Sequence, residues 1–375
     1  MRAPARILVI GLSNVGDAVL MSPVIQRLWS RYPGARLTLI VGERARMVYS
    51  GDPRVRTLWG MEDFSGAWGK VRLVAAMWRA NPDLLVDLRQ TILPLFWRPW
   101  RVARYLWPVP KSVVHMRDRH VWKLIVQESG LTAALWHRQQ FNAQCGMPNA
   151  ESHSGQAPED LTQPIPHSPS RIPNSARDTQ SPMWIAPEEE AAIDRLTTRW
   201  GLDPAKPLVV MCPGARSHIK RWDVDRFAKL ADRLIEERGV EVLFTGEPDE
   251  TPVIHEAMQA MRRRAHSAAG STTLQQLGAL MQRARLVITN DSATLHVASA
   301  VGAPVLALFG PTDARKYGPT GPRDRVIRRR LFCSPCEQAL CRYSHECMRF
   351  IPVDEVYQAA SEMLIGREAR DEGRA

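Results

Sequence analysis

Short apolar runs alternating with helix-length amphipathic segments constrain this chain more than any other feature. RILVIGL (6–12) leads into a segment from Asp17 to Arg31 in which Val19, Leu20, Val24 and Leu28 share one helical face. ARLTLIVG (35–42), VRTLWG (55–60) and DLLVDLR (83–89) repeat the apolar run, the last after a helix that ends near Asn81-Pro82. The pattern restarts at PLVVMCPGA (207–215) and continues with a helix over 223–238, a strand and loop in VEVLFTGEPDE (240–250) and a helix over 273–283. It finishes with RLVITND (285–291), a helix over 292–302, PVLALFGPT (304–312) and a last helix over 352–365. Strands that alternate with helices predict α/β architecture with parallel, doubly wound sheets.

Between residues 142 and 182 the alternation stops. The stretch is rich in Pro, Ser, Asn and Gln and poor in large apolar side chains, so it cannot offset its ordering entropy and is expected to be a disordered linker or long loop. It divides the chain into an N-terminal Rossmann-like domain, 1–141, and a second, 183–350, followed by a C-terminal helix and frayed tail, 351–375. At 375 residues the chain is long enough for two cores.

No apolar run approaches the roughly 20 residues of a bilayer span. The N-terminal apolar run meets Gly11, Asn14 and Asp17 too soon for a signal peptide, so the expected location is the cytoplasm, with reduced cysteines. The net charge of +11 favours an anionic partner. Much of it lies between Arg89 and Lys123, where Arg98, Arg101, Arg104, Lys111, Arg117 and Arg119 are interleaved with Trp97, Trp100, Tyr105, Trp107 and Trp122. Cations among aromatics suit stacked single-stranded nucleic acid or an anionic lipid head group at a membrane interface.

Three loops carry chemistry. GLSNVGDAVL (11–20) resembles a phosphate loop in its glycines, but Asp17 stands where such a loop needs a cation. CPGARSHIKRW (212–222) leaves a strand with Arg216, Lys220 and Arg221, a cationic grip for phosphates or an ordinary solvated loop. In TNDSATLH (289–296), Asp291 or Ser292 can cap a helix whose first amides form an anion site, with Thr294 and His296 in its first turns. Cys333, Cys336, Cys341 and Cys347 have the number, though not the paired spacing, of a four-thiolate zinc ribbon.

LSNVGDAVLMSPVIQRL, PGARSHIKRW, NDSATLHVASAVGAPVLALFGPT and the terminal C-x2-C-x4-C-x5-CM together resemble glycosyltransferase family 9, the ADP-heptose:lipopolysaccharide heptosyltransferases. The resemblance implies a GT-B fold, two Rossmann-like domains facing across a cleft, and inverting transfer from a nucleoside diphosphate sugar, most plainly ADP-heptose, without a required cofactor. It implies Asp17 as general base, with Ser13, Asn14 and Gly16 beside the acceptor sugar. Lys220, with Arg216, would hold the donor phosphates; Asp291, Ser292, Ala293, Thr294 and His296 the diphosphate and sugar; and Glu250 the ribose. Ala293 replaces the family's usual glycine, and Ser271-Thr272-Thr273 lacks a large apolar side chain for a base. The basic stretch, Arg98, Arg101 and Arg104 included, would then face an anionic glycolipid rather than nucleic acid. The expected protein is a monomer associated peripherally with the cytoplasmic face of the inner membrane. The resemblance argues against metal at the four cysteines. The alternative is a non-catalytic sugar-nucleotide or glycolipid-binding protein with a retained donor pocket.

Overall fold

The computed structural model describes residues 4–89, 183–319 and 321–371. Residues 4–89, 183 and 184 belong to one compact unit, and 185–319 with 321–371 to a second. The 142–182 linker and the arginines and tryptophans of the basic stretch beyond Arg89 lie outside the described residues.

In the first unit β1 (Arg6–Ile10), β2 (Arg36–Val41), β3 (Thr57–Gly60) and β4 (Leu84–Asp87) form a parallel sheet in the order β3-β2-β1-β4. Strands covered on both faces read as continuous apolar runs, which is why RILVI and RLTLIV were recognisable. The helix after β1 spans Val15–Arg31, two residues earlier than the periodicity indicates, because Asn14 in extended backbone (φ −87°, ψ 151°) is its N-cap. Asp17 therefore sits in the first turn rather than at the start.

The second unit is a six-stranded parallel sheet, β5 (Leu208–Cys212), β6 (Glu241–Phe244), β7 (His266–Ser267), β8 (Leu286–Asn290), β9 (Val305–Phe309) and β10 (Arg325–Arg328), in the order β10-β9-β8-β5-β6-β7. From β5 the chain winds outward through β6 to β7, then returns and winds the other way from β8 to β10. The direction reverses between β5 and β8, as it does between β1 and β4 in the first unit. At such a switch point the adjacent loops diverge and leave a crevice at the carboxyl ends of the strands, where α/β sheets bind ligands.

The helix Pro187–Trp200 and β10 are among the elements not legible in the apolar runs. The helix Pro187–Trp200 buries only Ile193 completely, so its periodicity is faint; its first-turn Pro187 and Glu188, Glu189 and Glu190 are the start signal. β10 reads RVIR because it is an edge strand with only Ile327 fully in the core. The last helix runs Val353–Asp371, past the expected end at 365.

The core on one face of the second sheet joins Trp222, Phe227, Phe244, Leu306, Leu308 and Ile327 to Ile351, Val356 and Leu364 of the C-terminal segment. Trp222 is fully buried, packs edge-on against Phe227 at 5.1 Å and donates its indole N–H to the Ile351 carbonyl at 3.0 Å. The C-terminal helix thus completes the second unit's core. Phe227→Ala is expected to cost about 3–5 kcal/mol through lost burial and the cavity left behind, read as a lower urea midpoint with the tryptophan signal of this unit.

Candidate functional site

In the second unit, the loops after β5 and β8 meet at the switch point. Lys220 closes a short 3-10 turn, His218–Lys220, and its Nζ donates to Asp291 Oδ2 at 2.7 Å. Thr312, from the loop after β9, donates its hydroxyl to the same oxygen at 2.5 Å. The Asp291 side chain is 6% exposed and that of Lys220 29% exposed, so the carboxylate is enclosed while the ammonium keeps donors open to a ligand. The loop geometry is held by Asn290, which is fully buried. Its Oδ1 accepts from the Trp222 amide at 3.1 Å and its Nδ2 donates to the Pro213 carbonyl at 2.8 Å, tying both ends of the Lys220 loop to β8. Arg221 closes the loop by donating to the Ala215 carbonyl at 2.8 Å.

Immediately after Asp291 the helix Ala293–Ala300 begins, with Ser292 as N-cap in extended backbone and no side-chain cap bond. Its first amides therefore keep the open N–H groups and positive dipole end that favour an anion. Neither Asp291 nor Ser292 spends its side chain as the cap the sequence suggested: Asp291 serves Lys220 and Thr312, and the Ser292 hydroxyl pairs with Thr294 at 2.6 Å. The Thr294 hydroxyl is also taken inward, 2.9 Å from that of Thr289, and the residue is buried. Ala293 opens the helix, His296 is half-buried in its first turns and Arg216 is exposed.

Glu250 lies on the other side of the Lys220 loop. A β-carbon on Gly214 would fall 2.1 Å from the Glu250 Cδ, and one on Gly246 2.6 Å from its Oε2, so both positions leave the carboxylate its space. The Glu247 amide donates to Glu250 Oε2 at 3.0 Å. Burial pushes the Glu250 carboxyl above its ordinary value, and the charges of Glu247 and Asp249 push the same way against that amide and Arg221. Ser271 is exposed and Thr272 half-buried, and Thr273 caps the helix Leu274–Arg283 through a capping box with Gln276.

In the first unit, the loop after β1 stands at that sheet's own switch point. Asn14 Nδ2 donates to Asp17 Oδ2 at 3.1 Å, and Gly16 lies between them in the first helical turn. Ser13 lies so close to Gly42, in the loop after β2, that a β-carbon there would come 2.5 Å from its Cβ. The neighbouring strand end carries the buried Asp87, opposite Ile10, whose Oδ1 accepts from the Arg89 amide at 2.9 Å. Asp87, Thr312 and Asn290 were not singled out in the sequence. The available signal was their place at or just after the carboxyl ends of β4, β9 and β8.

Cys333, Cys336, Cys341 and Cys347 line one cavity of about 360 Å³ with Phe332 and His345, and the Tyr343 amide donates to the Cys341 sulfur at 3.4 Å. Burial pushes the Cys347 thiol up to about 11, with the other three thiols adding to it. Among the described residues, no three His, Cys, Asp or Glu side chains are placed to hold a metal ion. Among them, too, no helix is long and apolar enough to cross a membrane.

Residues 177–346 match the family described as glycosyltransferase family 9 (heptosyltransferase). Lipopolysaccharide heptosyltransferase 3 of Escherichia coli K12 is 26% identical over 312 residues, covering 80% of each chain. Among solved structures, a family 9 glycosyltransferase from Veillonella parvula aligns with a TM-score of 0.73 at 20% identity, over 98% of this chain and 99% of that one. The E. coli ADP-heptose lipopolysaccharide heptosyltransferase II aligns with a TM-score of 0.68 at 22% identity, over 97% and 99%. The fold, two α/β units each built on a parallel sheet, is of the GT-B kind found in these solved structures. Residues 177–346 thus resemble glycosyltransferase family 9, and the similarity to a lipopolysaccharide heptosyltransferase extends over most of the chain.

Asn290→Ala removes the acceptor of the Trp222 amide and the donor to Pro213, and is expected to cost about 1–3 kcal/mol for the buried groups left unpaired. The check is a lower denaturation midpoint together with faster hydrogen exchange at the Trp222 amide.

Proposed function

We propose that this glycosyltransferase moves a heptose from ADP-heptose to a lipopolysaccharide core acceptor, with inversion at the anomeric carbon. The relative noted above is named a lipopolysaccharide heptosyltransferase, and the reading extends that substrate class to this chain. The observation that carries it is the Lys220–Asp291 pair beside the open N-terminus of the Ala293–Ala300 helix. A diphosphate leaving group gathers charge as its bond to the sugar breaks, and fixed donors aimed at that charge lower the barrier. Lys220 and the amides of Ala293 and its neighbours supply such donors without reorganising, because Asp291, Thr312 and Asn290 hold them. Glu250 accepts from the ribose hydroxyls, and Arg216 and His296 complete the donor side.

Asp17 is the proposed base. It takes the proton of the acceptor hydroxyl while the oxygen attacks the anomeric carbon on the face opposite the diphosphate. Asn14 donates to one Asp17 oxygen and so orients the other toward the acceptor, with Ser13 and Gly16 lining that loop. The cations at 98, 101 and 104 would meet the anionic glycolipid, at the cytoplasmic face of the inner membrane. No cofactor enters this chemistry.

Asp17→Asn is expected to lower kcat by about 10²–10⁴-fold while ADP-heptose binding, followed by calorimetry, stays within about twofold. Lys220→Ala should instead weaken donor binding and lower kcat/KM. Near-normal turnover by a folded Asp17→Asn protein, with product identified by mass spectrometry, defeats the assignment of the base. A wild-type protein that binds ADP-heptose but yields no product with any core acceptor defeats the reaction.

A further inference from the structure

The edge strand β10 separates its arginines by face. Ile327 enters the core with Leu306 and Leu308, and the residues two before and two after it lie on the same side. There Arg325 pairs with Glu362 at 2.5 Å, while Arg329 pairs with Glu355 and donates to the Phe350 carbonyl. Arg328 ends the strand, in register with Phe309, at the same carboxyl edge of the sheet as Asp291 and Lys220. Its side chain takes the opposite face, and Arg330 follows two residues on. Among the described residues, the side chain of neither Arg328 nor Arg330 makes a hydrogen bond or an ion pair.

The carboxylate nearest to hand is already in use. Asp313 is buried, and Arg315 holds it from Nε at 3.1 and 3.2 Å and from Nη2 at 2.8 Å, with the Arg315 amide at 3.0 Å from Oδ1. Arg328 is half-buried, and burial followed by the charges of Arg330 and Arg315 depresses its guanidinium below its ordinary value, against Asp313. A guanidinium stays charged in a protein, and withdrawing it partly from water beside two others that share one carboxylate is unfavourable. Three cations around one carboxylate leave two positive charges, which a dianion would balance. Planar guanidinium groups are suited to phosphate because they present paired donors.

We propose that Arg328 and Arg330, with Arg315 beside them, form an anion subsite at the carboxyl end of β10 that takes a phosphate monoester. The subsite is separate from the Lys220 pair, whose charge Asp291 already balances, and it does not depend on the reading of the reaction. The phosphate is carried on a larger molecule, such as a phosphorylated sugar acceptor, or arrives as free phosphate.

The test uses the full chain, with inorganic phosphate and glycerol 1-phosphate as probes in thermal-shift and calorimetric titrations against sodium chloride at matched ionic strength. Wild type should saturate with both probes. Arg328→Gln and the double variant Arg328→Gln/Arg330→Gln should weaken both by at least about tenfold, Arg328→Lys should keep part of the affinity, and Lys220→Ala should leave this site unchanged. In phosphate-free buffer Arg328→Gln should melt at the same temperature as wild type or higher, since it removes an uncompensated cation; a merely structural arginine would lower it. Equal titration of wild type and the double variant overturns the subsite, as does loss of the signal in Lys220→Ala. Binding of inorganic phosphate with no binding of glycerol 1-phosphate overturns the monoester assignment.

Discussion

The crevice between β5 and β8 is the constraint on which the second unit depends. A right-handed crossover sends the chain away from β5 on one side and from β8 on the other, so the two loops open at the same edge. A fully buried asparagine then does what backbone pairing cannot do beyond the strand ends. It supplies an acceptor to one end of the Lys220 loop and a donor to the other. The Trp222 anchor to Ile351 carries that order into the C-terminal segment, so the loop, the sheet and the last helix share one core.

Electrostatics at this edge is arranged by partial neutralisation. Asp291 is enclosed and receives Lys220 and Thr312 on one oxygen, so it fixes the ammonium's position while leaving some of its donors outward. The neighbouring helix N-terminus adds amide donors of fixed direction. A cation that was not anchored would spend part of its interaction energy on being immobilised when a ligand arrives. Here most of that ordering is complete in the folded chain.

Much of the fold was legible because parallel strands buried on both faces leave long apolar runs, as in RILVI, LVVMC and VLALF. Elements with little buried surface left no such mark, and β10 and the Pro187–Trp200 helix were missed for that reason. Lys220 and Asp291 stood out as residue types in loops, yet their pairing spans 71 positions and depends on strand order. Thr294 shows the reverse difficulty: its hydroxyl, placed by sequence among ligand-facing groups, turns inward because Thr289 and Ser292 lie within reach. Thr312 had no local signal, since a threonine after Gly310-Pro311 acquires meaning only when β9 is laid beside β8.

Glu250 and the glycines at 214 and 246 share one volume from two loops, those after β5 and β6. A side chain of any size at 214 would claim the space of a carboxylate 36 positions later in the chain, as Gly214 and Glu250 are numbered. The three positions are therefore a single unit of design: a library that varies position 250 to change what the pocket holds must vary 214 and 246 with it, and a scan of one position at a time would report only losses.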